Sequence, residues 1–166
     1  MRYYQYPTNY NWSAMPMNNP SVTTANFILD IHNAIRSVYP DVLSYACNAT
    51  GVSRYTDIGQ VLKKQFKYSS ADYSNYNYQV VKNNLASGRP VLLEGFGTGG
   101  HMWVCDGYQL TNYYFDDCTG LSTLYLHMNW GWDPSRNNNG YYAYNNFNPG
   151  VHNFTTDLKM IHNIKP

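Results

Sequence analysis

A chain of 166 residues suits one domain of ordinary size, or two small lobes sharing a cleft. Its net charge of +1 argues against a nucleic-acid partner, whose binding needs a basic face. Aromatic residues reach 17%, too many for a disordered chain, and abundant Tyr and Asn with almost no Glu suggest an exported surface.

No signal peptide is expected, because Met1-Arg2-Tyr3 runs straight into Tyr4-Gln5-Tyr6-Pro7. An exported composition without an export signal predicts a processed piece or a late start. No apolar run is long enough to span a membrane, so no membrane partner is expected. Met1 to Tyr6 reads as the last turn of a helix stopped before Pro7, and Asn11 to Pro20 as a loop. Phe27, Ile28, Ile31, Ile35 and Val38 recur at helical spacing, with Pro40 as the stop. Ser44 to Arg54 is predicted as a loop. Ile58, Val61, Leu62 and Phe66 predict a second helix capped by Thr56. Val80, Val81 and Leu85 predict a third, ended by Gly88.

After Arg89-Pro90 the period changes. Strands are predicted at Val91 to Leu93, His101 to Gln109, Ser122 to Trp130, Gly140 to Tyr144 and Thr155 to Ile164. The run Asn137-Asn138-Asn139-Gly140 reads as a surface turn. Helices first and strands second predict an α+β fold, with a mostly helical part over 1–88 and a β-rich part over 89–166.

The stretch Gly99-Gly100-His101-Met102-Trp103-Val104-Cys105-Asp106-Gly107 holds the first candidate for chemistry. Two glycines before a histidine let another backbone approach closely, and an imidazole presented there can act as a general base. A lone histidine is more often a satisfied structural residue. In Tyr125-Leu126-His127-Met128-Asn129-Trp130-Gly131-Trp132, alternation puts His127 and Asn129 on one face and Leu126, Met128 and Trp130 on the other. An Asn oxygen can accept from an imidazole N–H and fix its tautomer. The plainer alternative makes the tryptophans core and Asn129 a turn cap.

Three cysteines, Cys47, Cys105 and Cys118, cannot all pair, and no two have a metal-ligand spacing. No metal and no cofactor are expected. None of the three suits a nucleophile. Cys105 lies four residues along one strand from His101, roughly 13 Å away, whereas nucleophile and base must sit about 3 Å apart. Cys118 sits between Asp117 and a turn, where carboxylates disfavour a thiolate. Cys47 does not open a helix.

Taken together, Gly99-Gly100-His101 through Asp106-Gly107, then His127-x-Asn129-Trp130-Gly131-Trp132, then Gly140-Tyr141-Tyr142 before Asn148-Pro149, and the terminal Ile164-Lys165-Pro166 resemble the streptopain family of papain-like cysteine peptidases. The resemblance runs over essentially the whole chain, since Met1-Arg2-Tyr3 with Tyr6-Pro7 and Tyr10-Asn11-Trp12 is similar to the stretch after the family's catalytic-cysteine helix. It implies a papain-like α+β fold with a barrel-like antiparallel sheet in the second half. It also implies a single truncated peptidase domain over 1–166, secreted or cell-surface, acting on protein or peptide substrates. A propeptide or inhibitor is a further implied occupant of the cleft. His101 matches the catalytic histidine, and Trp130 the tryptophan beside the imidazole. Asn129 matches an Asn of the motif; either its side chain or the Trp130 region orients the ring. Gly100 and Trp132 match positions lining the substrate cleft, and Thr50 and Gly51 lie in a loop that forms a substrate wall. The nucleophilic cysteine and a glutamine-like oxyanion donor would stand two to three helical turns before Met1. Three functions therefore compete: a fragment of a cysteine peptidase without its nucleophile, a catalytically dead relative that binds peptides or proteins, and, outside the resemblance, an aromatic-rich surface-binding domain.

Overall fold

The computed structural model describes residues 1–16, 19–46, 49–132 and 138–166. The chain divides into two compact units, one of Met1–Ala71 with Lys165–Pro166, the other of Asp72–Ile164.

The first unit begins with a 3-10 turn, Arg2–Tyr4, rather than an α-helical end, closed by Gln5 in the left-handed region. A second such turn, Trp12–Ala14, buries Trp12, whose ring meets Phe27 at 5.0 Å between centroids. Helix α1, Val22–Val38, starts where the Ser21 side chain accepts from Thr24 N. It buries little: Ala34 is its buried residue, and Ile28 of the apolar stripe and its neighbour Leu29 stay exposed. Residues 44–54, read from sequence as a loop, include a hairpin instead. Strand β1, Leu43–Ala46, pairs antiparallel with β2, Ala49–Val52. Its apolar Tyr45 and Val52 are exposed, so the hairpin has no buried face whose alternation could be read. Helix α2, Ile58–Phe66, buries Val61, Leu62 and Phe66. Its N-cap is Asp57, which accepts from Gln60 N, and not Thr56. Thr56 is buried and its hydroxyl donates back to Ser53 O at 2.6 Å, so it closes the preceding turn.

The sheet runs in the order β3-β8-β4-β5-β6-β7. Strand β3 is Ser70–Asn75, β4 Val91–Phe96, β5 Gly100–Tyr114, β6 Gly120–Asn129, β7 Gly140–Ala143 and β8 Thr156–Lys165. The β4–β5, β4–β8, β5–β6 and β6–β7 pairs are antiparallel. Strand β3 escapes a reading by pattern because Ser-Ala-Asp-Tyr-Ser-Asn is polar; neighbours in the sheet impose it. Helix α3, Tyr78–Ala86, is capped by Asn77, and Gly88 follows at φ +67 with its N–H on Leu85 O, the left-handed stop expected of glycine. The predicted turn at 137–140 lies partly outside the described residues; Gly140 opens β7.

Alternation on β6 buries Leu124, Leu126 and Met128. These pack with Val91, Leu93, Trp103, Cys105, Trp130, Phe147, Phe154 and Met160 in one apolar core. Beyond this core the β5–β6 ribbon continues with both faces exposed. Strand β5 therefore outruns its expected end at Gln109. A bulge at Asp106 offsets the two parts of the ribbon: Cys105 faces Met128, but Gly107 faces His127. Asp106 Oδ1 lies 2.6 Å from His127 Nδ1, which ties the extra residue to the opposite strand. No described helix is long and apolar enough to cross a membrane.

Candidate active site

His101 is the second residue of β5, directly opposite Gly95 of β4. Its Nε2 lies 2.8 Å from the carbonyl oxygen of Trp130, 29 residues further on. A carbonyl only accepts, so Nε2 carries the proton, and Nδ1 is the nitrogen left for chemistry. The β5–β6 ladder ends at the Val104–Asn129 pair, so Trp130 and Trp132 leave the sheet close to the start of β5. The rings accordingly gather: the imidazole lies 5.2 Å from Trp132, 5.3 Å from Phe154, 6.2 Å from Trp103 and 6.3 Å from Trp130 between centroids. A Cβ at Gly100 would come within 2.6 Å of the Phe96 ring on the paired strand, so glycine leaves room for that ring where β5 begins. Gly131, at φ +71, makes the turn that carries Trp132 back to the histidine, a conformation costly for other residues.

Asn129 does not reach the imidazole with its oxygen. Its Oδ1 accepts from Gly131 N at 3.1 Å and from Asn139 Nδ2 at 3.3 Å. Asn139 Oδ1 in turn accepts from Trp130 N at 2.8 Å. Both of the orienting options left open by the sequence thus meet at the Trp130 backbone. Thr50 and Gly51 lie on β2 in the first unit, across from Tyr45 and Ser44.

Pattern reading passed over four neighbours of this histidine or its supports. Trp103 could have been found, because it stands two residues from His101 on one strand and so shares its face. Phe154 and His152 carry no local signal. They sit between β7 and β8, where His152 stacks on Phe154 at 5.9 Å and meets Trp132 at 5.0 Å. Asn139 hid in an asparagine run.

The His101 pKa is lowered from its ordinary 6.5, first by burial and then by the neighbouring His152, while the Trp130 carbonyl works the other way. Replacing His152 by Gln should therefore move the His101 titration midpoint upward, measurable by NMR of the ring signals. The shift also has a stability consequence. The unfolded chain binds the proton more readily than the folded one between the lowered value and 6.5, so stability rises with pH through that window. Acidification from neutrality through 6.5 and down to the folded value should lower the unfolding midpoint, and His101→Gln should flatten that slope.

Cys105 is poorly placed to react. Cys105 is fully buried, and burial, with Asp106 second, pushes its thiol up to about 12. Cys118 is exposed at a turn, at φ +64. Cys47 lies outside the described residues. Among the described residues no group of three or more His, Cys, Asp or Glu could hold a metal ion.

The sequence profile of the peptidase C10 family matches residues 1–142. The chain belongs to the peptidase C10 family, the family of streptopain. It is also 28% identical over 174 aligned residues to the thiol protease/hemagglutinin PrtT of Porphyromonas gingivalis. That match covers 95% of this chain and 18% of the relative, so the chain spans under a fifth of that protein's length.

Proposed function

We propose that this chain is the histidine-bearing part of a cysteine peptidase domain of papain-like fold, exported from the cell, that cleaves peptide bonds once a thiolate is supplied from outside residues 1–166. The observation that carries the reading is the anchoring of His101 Nε2 on the Trp130 carbonyl, which leaves Nδ1 to take a thiol proton. Membership of the C10 family and the thiol-protease relative support it.

In this reading His101 Nδ1 accepts the proton of the incoming cysteine. The resulting thiolate attacks the scissile carbonyl carbon, and the imidazolium then delivers its proton to the leaving amine as the C–N bond breaks. Water, deprotonated by the same nitrogen, cleaves the thioester and restores the thiol. Burial disfavours the imidazolium, while the Trp130 carbonyl, accepting from Nε2–H, favours it. Trp130 is the orienting residue through its backbone, and Asn129 acts behind it. Gly100 and Trp132 line the substrate site, and Thr50 and Gly51 contact substrate, as the streptopain resemblance implies.

Two measurements test this. The chain by itself should show no peptide hydrolysis, and its cysteines should react with alkylating reagents no faster than ordinary thiols, Cys105 slowest because its thiolate is scarce. Rapid labelling of one cysteine that is lost in His101→Ala would overturn the external-nucleophile reading. A protein extended ahead of Met1 to include a helix bearing a cysteine should hydrolyse peptides under reducing conditions. A folded, inactive extended protein would favour peptide binding without cleavage.

A further inference from the structure

Strand β6 ends at Asn129, so the carbonyl that holds His101 belongs to backbone beyond the β6–β7 ladder. Something other than a sheet partner must fix it. The last paired residues there are Met128 and Gly140. Extending that register by one places Asn139 beside Asn129, where a ladder would next have bonded.

We propose that Asn139 is a positioning residue for the His101 imidazole, acting with Asn129 through the two peptide groups that flank Trp130. The inference rests on His101 being the imidazole of the site. The peptide before Trp130 is held by its N–H donating to Asn139 Oδ1 at 2.8 Å. The peptide after it is held by Gly131 N–H donating to Asn129 Oδ1 at 3.1 Å. Asn139 Nδ2 donates to the same Asn129 oxygen at 3.3 Å, which ties the two supports together. The Trp130 carbonyl and the Gly131 N–H share one planar peptide, so fixing the N–H direction fixes the oxygen that receives Nε2–H. An acceptor on that N–H also polarises the carbonyl and strengthens its bond to the imidazole. Only an amide suits position 139, because it must accept from Trp130 and donate to Asn129 at once. A carboxylate there could do the first and not the second.

The test is NMR of the full chain with its histidine rings labelled with nitrogen-15. In the parent, neutral His101 should be the Nε2–H tautomer. In Asn139→Ala the Nε2–H should exchange with solvent about tenfold faster or more, and the His101 titration midpoint should fall, because a favourable acceptor is weakened. Asn139→Asp, which keeps the acceptor and loses the donor, should fall between. Asn146→Ala removes an asparagine that accepts from Asn148 N and should change neither signal. A purely structural role would lower stability while leaving the tautomer and its exchange alone. Asn139→Ala that keeps parent-like amide protection in the sheet and unchanged His101 signals overturns the proposal. If that variant does not fold, unchanged signals in Asn139→Asp overturn it instead. These readouts need no activity. Retained hydrolysis in His101→Ala of an extended protein would sink the peptidase reading while leaving the ring measurements to decide the role of Asn139.

Discussion

His101→Ala, introduced into an extended protein that carries the thiol, should remove nearly all peptide hydrolysis, a loss on the order of ten-thousandfold or more in kcat/KM. The size follows from how base and nucleophile work. A thiol without a proton acceptor at Nδ1 is largely protonated at neutral pH, and the leaving amine departs without a proton. The carbonyl that orients the ring would remain, but with nothing to orient. Asn129→Ala should cost far less, because its oxygen touches Gly131 N and Asn139 and reaches the imidazole only through a peptide. Steady-state kinetics on a peptide substrate decide the matter. Equal losses in the two variants would mean that Asn129 acts directly, and a His101→Ala enzyme within tenfold of its parent would exclude the imidazole as base.

The second large effect is on stability. Trp103→Ala should destabilise the chain by about 3–5 kcal/mol, a large share of the 5–15 kcal/mol typical of a whole domain. Trp103 is only 2% exposed. Its ring meets Trp130 at 4.7 Å and Phe147 at 5.8 Å, and its indole N–H donates to the Met128 sulfur at 3.2 Å. Truncation removes the centre of this aromatic stack and leaves a cavity lined by groups that cannot all move in. Trp103→Phe should cost clearly less, because a ring still fills most of the space. Urea unfolding followed by far-UV circular dichroism measures both. A cost below about 1 kcal/mol for the alanine variant would show that the core closes over the gap, contrary to close packing. The variant should also disturb His101, whose ring stacks on Trp103 at 6.2 Å.

Residues buried in a repeating pattern were legible from the sequence. Leu124, Leu126 and Met128 alternate into the core and announce β6; Val61, Leu62 and Phe66 announce α2; and Gly88 announces the end of α3 by a conformation other residues resist. The motifs around His101 and Trp130 pointed to the family because each packs its chemistry into a few adjacent residues. Solvation and long-range pairing decided the rest. The β1–β2 hairpin and β3 bury too little for a period to emerge, so only their backbone partners make them strands. Asp57 took the α2 cap from Thr56 because the Thr56 hydroxyl was already committed to Ser53, a competition no propensity records. Around the histidine the same division holds. That His101 and Trp130 belong together follows from their motifs, but that the ring leans on a carbonyl, with Asn129 and Asn139 holding that carbonyl from behind, depends on the register of β5 against β6 and of β6 against β7. His152 and Phe154 enter the site from a connection between strands with no pattern of their own. Register is set by the whole sheet at once, so no single stretch of sequence could contain it.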